Sequence, residues 1–487
     1  MPRNPKTMSE FGKRRRALGA CGAFRRAATH LAAAVLATIL ATHGACVTAA
    51  APLDTLLASD AQVVAALVIE SIEIEGNTRT SDETVMRYLS IAPGDAVPPD
   101  SVLAAVEALR EAQIFDDVAV TLRRGPTRGG VIVALAVREK GVELRFGAGH
   151  QDLSGWYLIP AELRLDNRLG RGERLGAHLR VGYRLSGVVV FFEEPRLADR
   201  RARWGITLSG LDTDRIYFID GVEYRHKVRR GGLELHVGRA LSSRWGWDVG
   251  AGVEGIDVDS LATAHSESEV LGVERGDEID RANLPAGVAE AVGEAQRSSV
   301  RATLTLDSRA TERIAGTPAG GLWGRIESEG VANGDGSYLS ATADLRGYQP
   351  FLGTVLAARV RAGIVGRAAP FYDRHYVGGL YTVRGFPSQS LSDAAGDTRF
   401  WSAALELRAP LVGDARMPRL AGVAFLEAAD GWDRGRPALD DIAASAGFGC
   451  RLRMPFVGWL GVDFGIPLST SPVDEAFHGH ASLGWTY

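Results

Sequence analysis

The chain has 487 residues, 46% hydrophobic and 23% charged, with a formal net charge of -4, a balance that excludes both a disordered acidic tail and a helical membrane protein. Its 58 glycines against 20 prolines suit many strands and turns rather than long helices.

At the start, Lys13, Arg14, Arg15, Arg16, Arg25 and Arg26 precede the apolar run Leu31 to Thr42 and then small residues. A basic segment, a short apolar core and a small-residue exit are the three parts of a secretory signal. Residues 1–50 are therefore expected to be a signal peptide cut near Ala49 or Ala50, and residues 51–66 a linker. Lipidation of Cys46 is an alternative, although His43 stands where such sites usually carry an apolar residue. With Cys21 and Cys46 removed, Cys450 is left alone, so no disulfide framework is expected.

Leu67 to Glu75 (LVIESIEIE) alternates with the period of a half-buried strand. Gly76 and Asn77 end it. Thr80 is expected to cap a following helix, with Glu83 reaching back. A second helix begins near Asp100 and shows Val102, Val106 and Leu109 at helical spacing. The runs Phe115 to Arg124 and Val131 to Glu139 alternate again. Strand, helix, helix, strand, strand make a compact α+β unit over residues 67–140. This order, with IESIEIEGNTRTSDE, GDAV, EAQIFDDVAV and VALAVREK, resembles a POTRA (polypeptide-transport-associated) domain.

From residue 141 to 487 the chain is a series of about sixteen alternating segments with glycine, arginine or proline punctuation. An open antiparallel sheet of that size needs its edges and apolar face covered. Closure as a barrel in an outer membrane meets both needs, because every backbone group pairs and the apolar side meets lipid. The fold expected is mainly β: a 16-stranded antiparallel transmembrane β-barrel preceded by one α+β domain. Tight connections such as LSSR (Leu241 to Arg244) and FLGT (Phe351 to Thr354) fall on the side of the first domain, and long ones such as 257–297 and 365–399 fall opposite. Short periplasmic turns and long external loops have that polarity. In the last segment, Phe477, Leu483, Trp485 and Tyr487 are expected on the lipid side.

The connection between the eleventh and twelfth strands, the sixth external loop, contains FYDRHYVGGLYTVRGF. Together with NRLGRGERL, FFEEPRL, LDSRATERIAGTPAGG and LELRAP, it resembles BamA-type outer-membrane proteins, the bacterial surface antigen superfamily that assembles barrel proteins or transports polypeptides. The resemblance implies that Val383, Arg384, Gly385 and Phe386 form a motif folded back into the barrel, with Arg384 paired to acids on the inner wall. Alternation along the strands points to the same acids. If Trp401, Ala403, Leu405 and Leu407 face lipid, Glu406 faces the lumen, and Glu427 shares a face with Phe425. The family pattern has Asp-Ala-Gly where this chain has Glu427, Ala428 and Ala429.

The first barrel strand is short and carries Gly147 and Gly149, so its seam with the last strand, around Trp485 and Tyr487, is expected to be weak. No serine-hydrolase elbow, zinc-protease helix or phosphate loop occurs, so no catalytic or metal residues, cofactor or nucleic-acid partner are expected. The expected partners are unfolded outer-membrane or secreted polypeptides, outer-membrane lipid and periplasmic accessory proteins. The expected place is the bacterial outer membrane, with residues 67–140 in the periplasm. A dedicated two-partner-type secretion pore and a passive pore or surface antigen are the alternatives.

Overall fold

The computed structural model describes residues 67–487 apart from 90, 113, 152–154, 183, 198–201, 265–277, 335, 436–441, 455–457, 470–476 and 486. The expected signal peptide and linker lie outside the described residues.

The first domain runs β1 (Leu67–Glu75), α1 (Asp82–Tyr88), a short β2 (Ala96–Val97), α2 (Pro99–Glu111), β3 (Phe115–Arg124) and β4 (Gly130–Glu139). Its sheet order is β2-β1-β4-β3, with β1 parallel to β4. Val85, Leu89, Val102, Val106, Leu109 and Leu135 form the core between helices and sheet. Each comes from the apolar stripe that the periodicity marks.

The cap of α1 is Ser81 rather than Thr80: its hydroxyl accepts from the Thr84 amide at 3.2 Å. Thr80 is drawn elsewhere, because Glu139 at the end of β4 gathers five donors, among them the Thr78 hydroxyl at 2.9 Å. The Arg79 amide and Nε donate to it at 2.8 and 2.9 Å, the Thr80 amide at 2.7 Å and the Thr80 hydroxyl at 2.8 Å.

That same hydroxyl accepts from Asn167 Nδ2 at 2.8 Å, and Asn167 lies in the first periplasmic turn of the barrel. Lys140 and Asp166 are 3.7 Å apart across the junction. The turn approaches so closely that a Cβ on Gly170 would sit 2.9 Å from the carbonyl carbon of Arg79. Gly170 also has φ +77, so two constraints meet in one residue.

Partial burial pushes the Glu139 carboxyl up, but the hydrogen bonds from Arg79 and Thr80 outweigh it and hold it down at about 2. A carboxyl lowered from 4.5 to about 2 contributes stability that is complete above pH 4.5 and fades as pH falls towards 2. Protection of the Arg79 and Thr80 amides, taken as exchange relative to the intrinsic rate at each pH, is expected to fall as pH drops through that window, and Glu139→Gln should remove this pH dependence. Equal protection at pH 3 and pH 7 in the wild type would contradict this assignment.

Among the described residues, sixteen antiparallel strands of six to 20 residues then close into a barrel. They are β5 (Glu143–Gln151), β6 (Gly155–Arg164), β7 (Arg174–Gly182), β8 (Leu185–Leu197), β9 (Ala202–Ile219), β10 (Val222–Ala240), β11 (Trp245–Ala264) and β12 (Gly293–Asp307), followed by β13 (Gly321–Asn333), β14 (Gly336–Phe351), β15 (Thr354–Val365), β16 (Arg399–Val412), β17 (Leu420–Trp432), β18 (Ala443–Met454), β19 (Gly458–Pro467) and β20 (His478–Leu483). A three-residue strand, Glu278–Asp280, extends the sheet beside the outer end of β11. The outward face leaves Val300, Ile326, Leu339, Ile364 and Phe448 exposed, with Leu339 at 75%. A continuous apolar surface of this kind belongs in hydrocarbon. Among the described residues no helix is long and apolar enough to cross a membrane.

Two connections depart from the simple polarity. The external turn between β9 and β10 is the tight pair Asp220-Gly221, both at positive φ. On the periplasmic side, residues 308–320 form a small hairpin, Arg313–Ile314 against Thr317–Pro318, whose Ala315 and Gly316 amides donate to the carbonyls of Ala415 and Arg416. The connection between β11 and β12 carries a single helical turn, α3 (Ala286–Ala289).

Candidate functional site: loop six inside the barrel

The connection from β15 to β16 enters the lumen. Val383 and Phe386 are fully buried and pack with Val377, Phe400, Ala429 and Ala443. These apolar contacts hold the backbone of the motif, and Gly385, at φ +90, turns it between them. The turn leaves the Arg384 side chain aimed at the wall formed by β16, β17 and β19.

Arg384 has no exposed surface. Its backbone N–H donates to Glu427 Oε2 at 2.6 Å, and its Nε and Nη2 donate to Glu427 Oε1 at 2.9 and 2.5 Å. Nη2 also pairs with Glu406, and Nη1 donates to Asp463 Oδ2 at 3.1 Å. The Phe425 ring centroid lies 3.6 Å from the guanidinium carbon. One planar fork thus serves three carboxylates while its face rests on an aromatic ring, a combination that an ammonium cannot supply.

The charges balance within the cluster. Arg408 Nε donates to Glu406 at 2.8 Å, and Arg451 forks onto Asp463 at 2.7 and 2.8 Å. Three arginines face three carboxylates, all nearly or wholly excluded from solvent. Desolvation of six charges is costly, and only this mutual pairing offsets it. Both carboxylate oxygens of Glu427 reach Arg384.

Alternation along β16 and β17 placed Glu406 and Glu427 on the inner wall, and both touch Arg384 there. Sequence reasoning missed Asp463 and Arg451. Asp463 sits in VDFG, where Val462 and Phe464 face outward, so the same alternation marks it. It also missed His480 on β20, whose Nε2 accepts from the Gly385 amide at 3.1 Å and ties the motif to the last strand.

The barrel closes where β5 meets β20. Gly147 and Gly149 lie in β5, opposite Ile159 and Tyr157 of β6, with a bulge between Arg145 and Gly147. Trp485 and Tyr487 are not seam residues and do not face lipid. β20 ends at Leu483, and Gly484, at φ +87, turns the chain inward while its amide donates to the Trp459 carbonyl at 2.6 Å. Tyr487 is buried, and its hydroxyl donates to the Ala357 carbonyl at 3.1 Å. The Arg408 guanidinium lies 4.5 Å from the Tyr487 ring and 4.7 Å from that of Trp485. Period-two alternation fails here because a left-handed glycine ends the strand and a buried cation attracts the rings into the lumen.

Among the described residues no group of three His, Cys, Asp or Glu is placed to hold a metal ion. The arrangement fixes the loop against the inner wall.

Comparison with known proteins gives a consistent result. Residues 167–487 match the Omp85 superfamily domain, and residues 67–140 match the POTRA family, described as a surface antigen variable number repeat. The outer membrane protein assembly factor BamA of Nitratidesulfovibrio vulgaris is 23% identical over 433 residues, covering 84% of this chain and 50% of that protein. The chain thus spans half the length of this curated relative. A crystal structure of BamA from Haemophilus ducreyi lacking POTRA domains 1–3 is similar with a TM-score of 0.64 at 18% identity, covering 85% of this chain and 84% of that one. CdiB from Acinetobacter baumannii is similar with a TM-score of 0.53 at 14% identity, covering 86% and 73%.

Proposed function

The chain belongs to the Omp85 superfamily, and from that premise we propose that it assembles outer-membrane proteins or moves polypeptides across the outer membrane. It resides in the bacterial outer membrane with its POTRA domain in the periplasm. The observation that carries the reading is the union, in one chain, of a periplasmic sheet with a free edge and a barrel filled by its own loop. In the order β2-β1-β4-β3, one side of β3 has no neighbour among the described residues. An extended client can add there through main-chain hydrogen bonds, which give affinity without demanding a sequence.

The client then passes to the barrel at the closure between β5 and β20. Both are short, nine and six residues, against the 18 to 20 of β9 to β11. Fewer ladder bonds make this pair the easiest to part, and a parted pair offers two unpaired strand edges to a client segment. Loop six, held by Arg384, occupies the lumen beside that closure and touches β20 through His480. No residue is assigned a catalytic role, and lipid and accessory proteins act as surroundings and docking partners rather than substrates.

A dedicated secretion pore for one partner polypeptide is the second reading, favoured by the likeness to CdiB in fold. Depletion followed by quantification of the outer-membrane and secreted proteomes separates them. Broad loss of barrel proteins supports assembly, loss of one exoprotein supports secretion, and no change in either would refute both and leave a passive barrel.

A further inference from the structure

Loop six has a second ionic attachment, on the opposite wall and with the opposite polarity. Asp373 closes the short 3-10 turn Phe371–Asp373 at the outer end of the loop. Its Oδ1 accepts from Arg230 Nη1 of β10 at 3.1 Å, its Oδ2 accepts from Arg297 Nη1 of β12 at 2.7 Å, and the Tyr338 hydroxyl of β14 also donates to it. The two arginines are themselves oriented by Glu254 and Glu329, at 2.7 and 2.6 Å.

Aromatic packing surrounds this carboxylate. Phe371 and Tyr372 are buried against Tyr217 and His226, with Leu284 and Val288 from the external segment between β11 and β12 on the same cluster. Arg215 of β9 donates to the Tyr372 carbonyl and lies 5.3 Å from the Tyr376 ring. The outer end of loop six is therefore fixed to β9, β10, β12 and β14, and the inner end to β16, β17 and β19.

We propose that loop six is a cross-brace with two ion clasps of opposite sign, and that the Asp373 clasp is the outer fastening that keeps the lumen closed to solutes. A carboxylate between two guanidinium groups holds only at one register, so the turn cannot slide along the wall without stranding the Asp373 carboxylate, while Arg230 and Arg297 keep Glu254 and Glu329. Arg384 sets where the motif sits. Asp373 is a positioning residue that sets where the roof sits.

The proposal rests on loop six being the internal plug, but its readout is ion conductance, which needs no client. The full chain is reconstituted in planar bilayers. Asp373→Asn, and separately Arg297→Gln, should each raise the open fraction about tenfold over the wild type. The two together should raise it no further than either alone, because both cut one clasp. Heat-dependent electrophoretic mobility must report a folded barrel in each case.

Wild-type conductance in a folded Asp373→Asn protein would overturn the proposal, and so would additive effects of the two substitutions. Failure of both variants to form the heat-shifted species would assign Asp373 to barrel assembly and overturn it equally. A depletion experiment with no change in either proteome would defeat the functional reading while leaving the conductance result intact.

Discussion

Arg384→Ala is expected to free loop six and to abolish most client transport while the barrel persists. In the native cluster three cations balance three anions; without Arg384, Glu406, Glu427 and Asp463 share only Arg408 and Arg451. Removing one partner from a buried pair costs about 3–5 kcal/mol, because a desolvated charge is left uncompensated. The lumen can admit water and hydrate the carboxylates, so the loss falls on the loop rather than on the strand ladder. Cleavage within residues 376–390 by a broad-specificity protease such as proteinase K should rise sharply while the heat-shifted form remains. Arg384→Lys should not rescue, since an ammonium cannot fork onto Glu406 and Glu427 and reach Asp463 as well. Wild-type transport together with wild-type protease resistance would remove Arg384 from the site.

Gly465→Ala should reproduce that phenotype without altering any charge. A Cβ on Gly465 of β19 would lie 2.6 Å from Gly385 Cα and 2.8 Å from the Arg384 carbonyl carbon, both backbone atoms that cannot swing aside. The motif must then lift from the wall, lengthening the contacts to Glu427 and Asp463. Overpacking of this kind costs roughly 1–3 kcal/mol, and here it acts directly on the loop's seat. The same substitution at Gly479 of β20, where nothing lies closer than 3.8 Å, serves as the control and should behave as the wild type. If Gly465→Ala also leaves protease access and transport unchanged, the motif is not held against β19.

Much of this architecture was legible because barrels and amphipathic helices write their faces into the sequence. Glu406 and Glu427 were placed inward by period two alone, and the number of long strands followed from the same count. The misses have distinct physical causes. Thr80 looked like a helix cap because capping chemistry is local, whereas its true partner, Glu139, arrives from the end of another strand. Trp485 and Tyr487 looked lipid-facing because alternation assumes that a strand continues, and Gly484 ends it. Asp463, Arg451, Arg230 and Arg297 occupy alternating positions of strands, whereas Asp373 lies in a loop turn where no alternation marks a face. Which charge meets which is fixed by barrel closure and by the path of the loop, and neither is encoded in any window of neighbouring residues.

The docking of the Glu139 end of β4 and the start of α1 onto the turn containing Asn167 has a mechanical corollary. The peptide between Glu139 and Glu143 is too short to act as a swivel. Any tug on the periplasmic module is therefore delivered as torque to the hairpin of β5 and β6. A client weighing on one end of the molecule would pry at the wall next to its thinnest join, with the small domain serving as the lever arm.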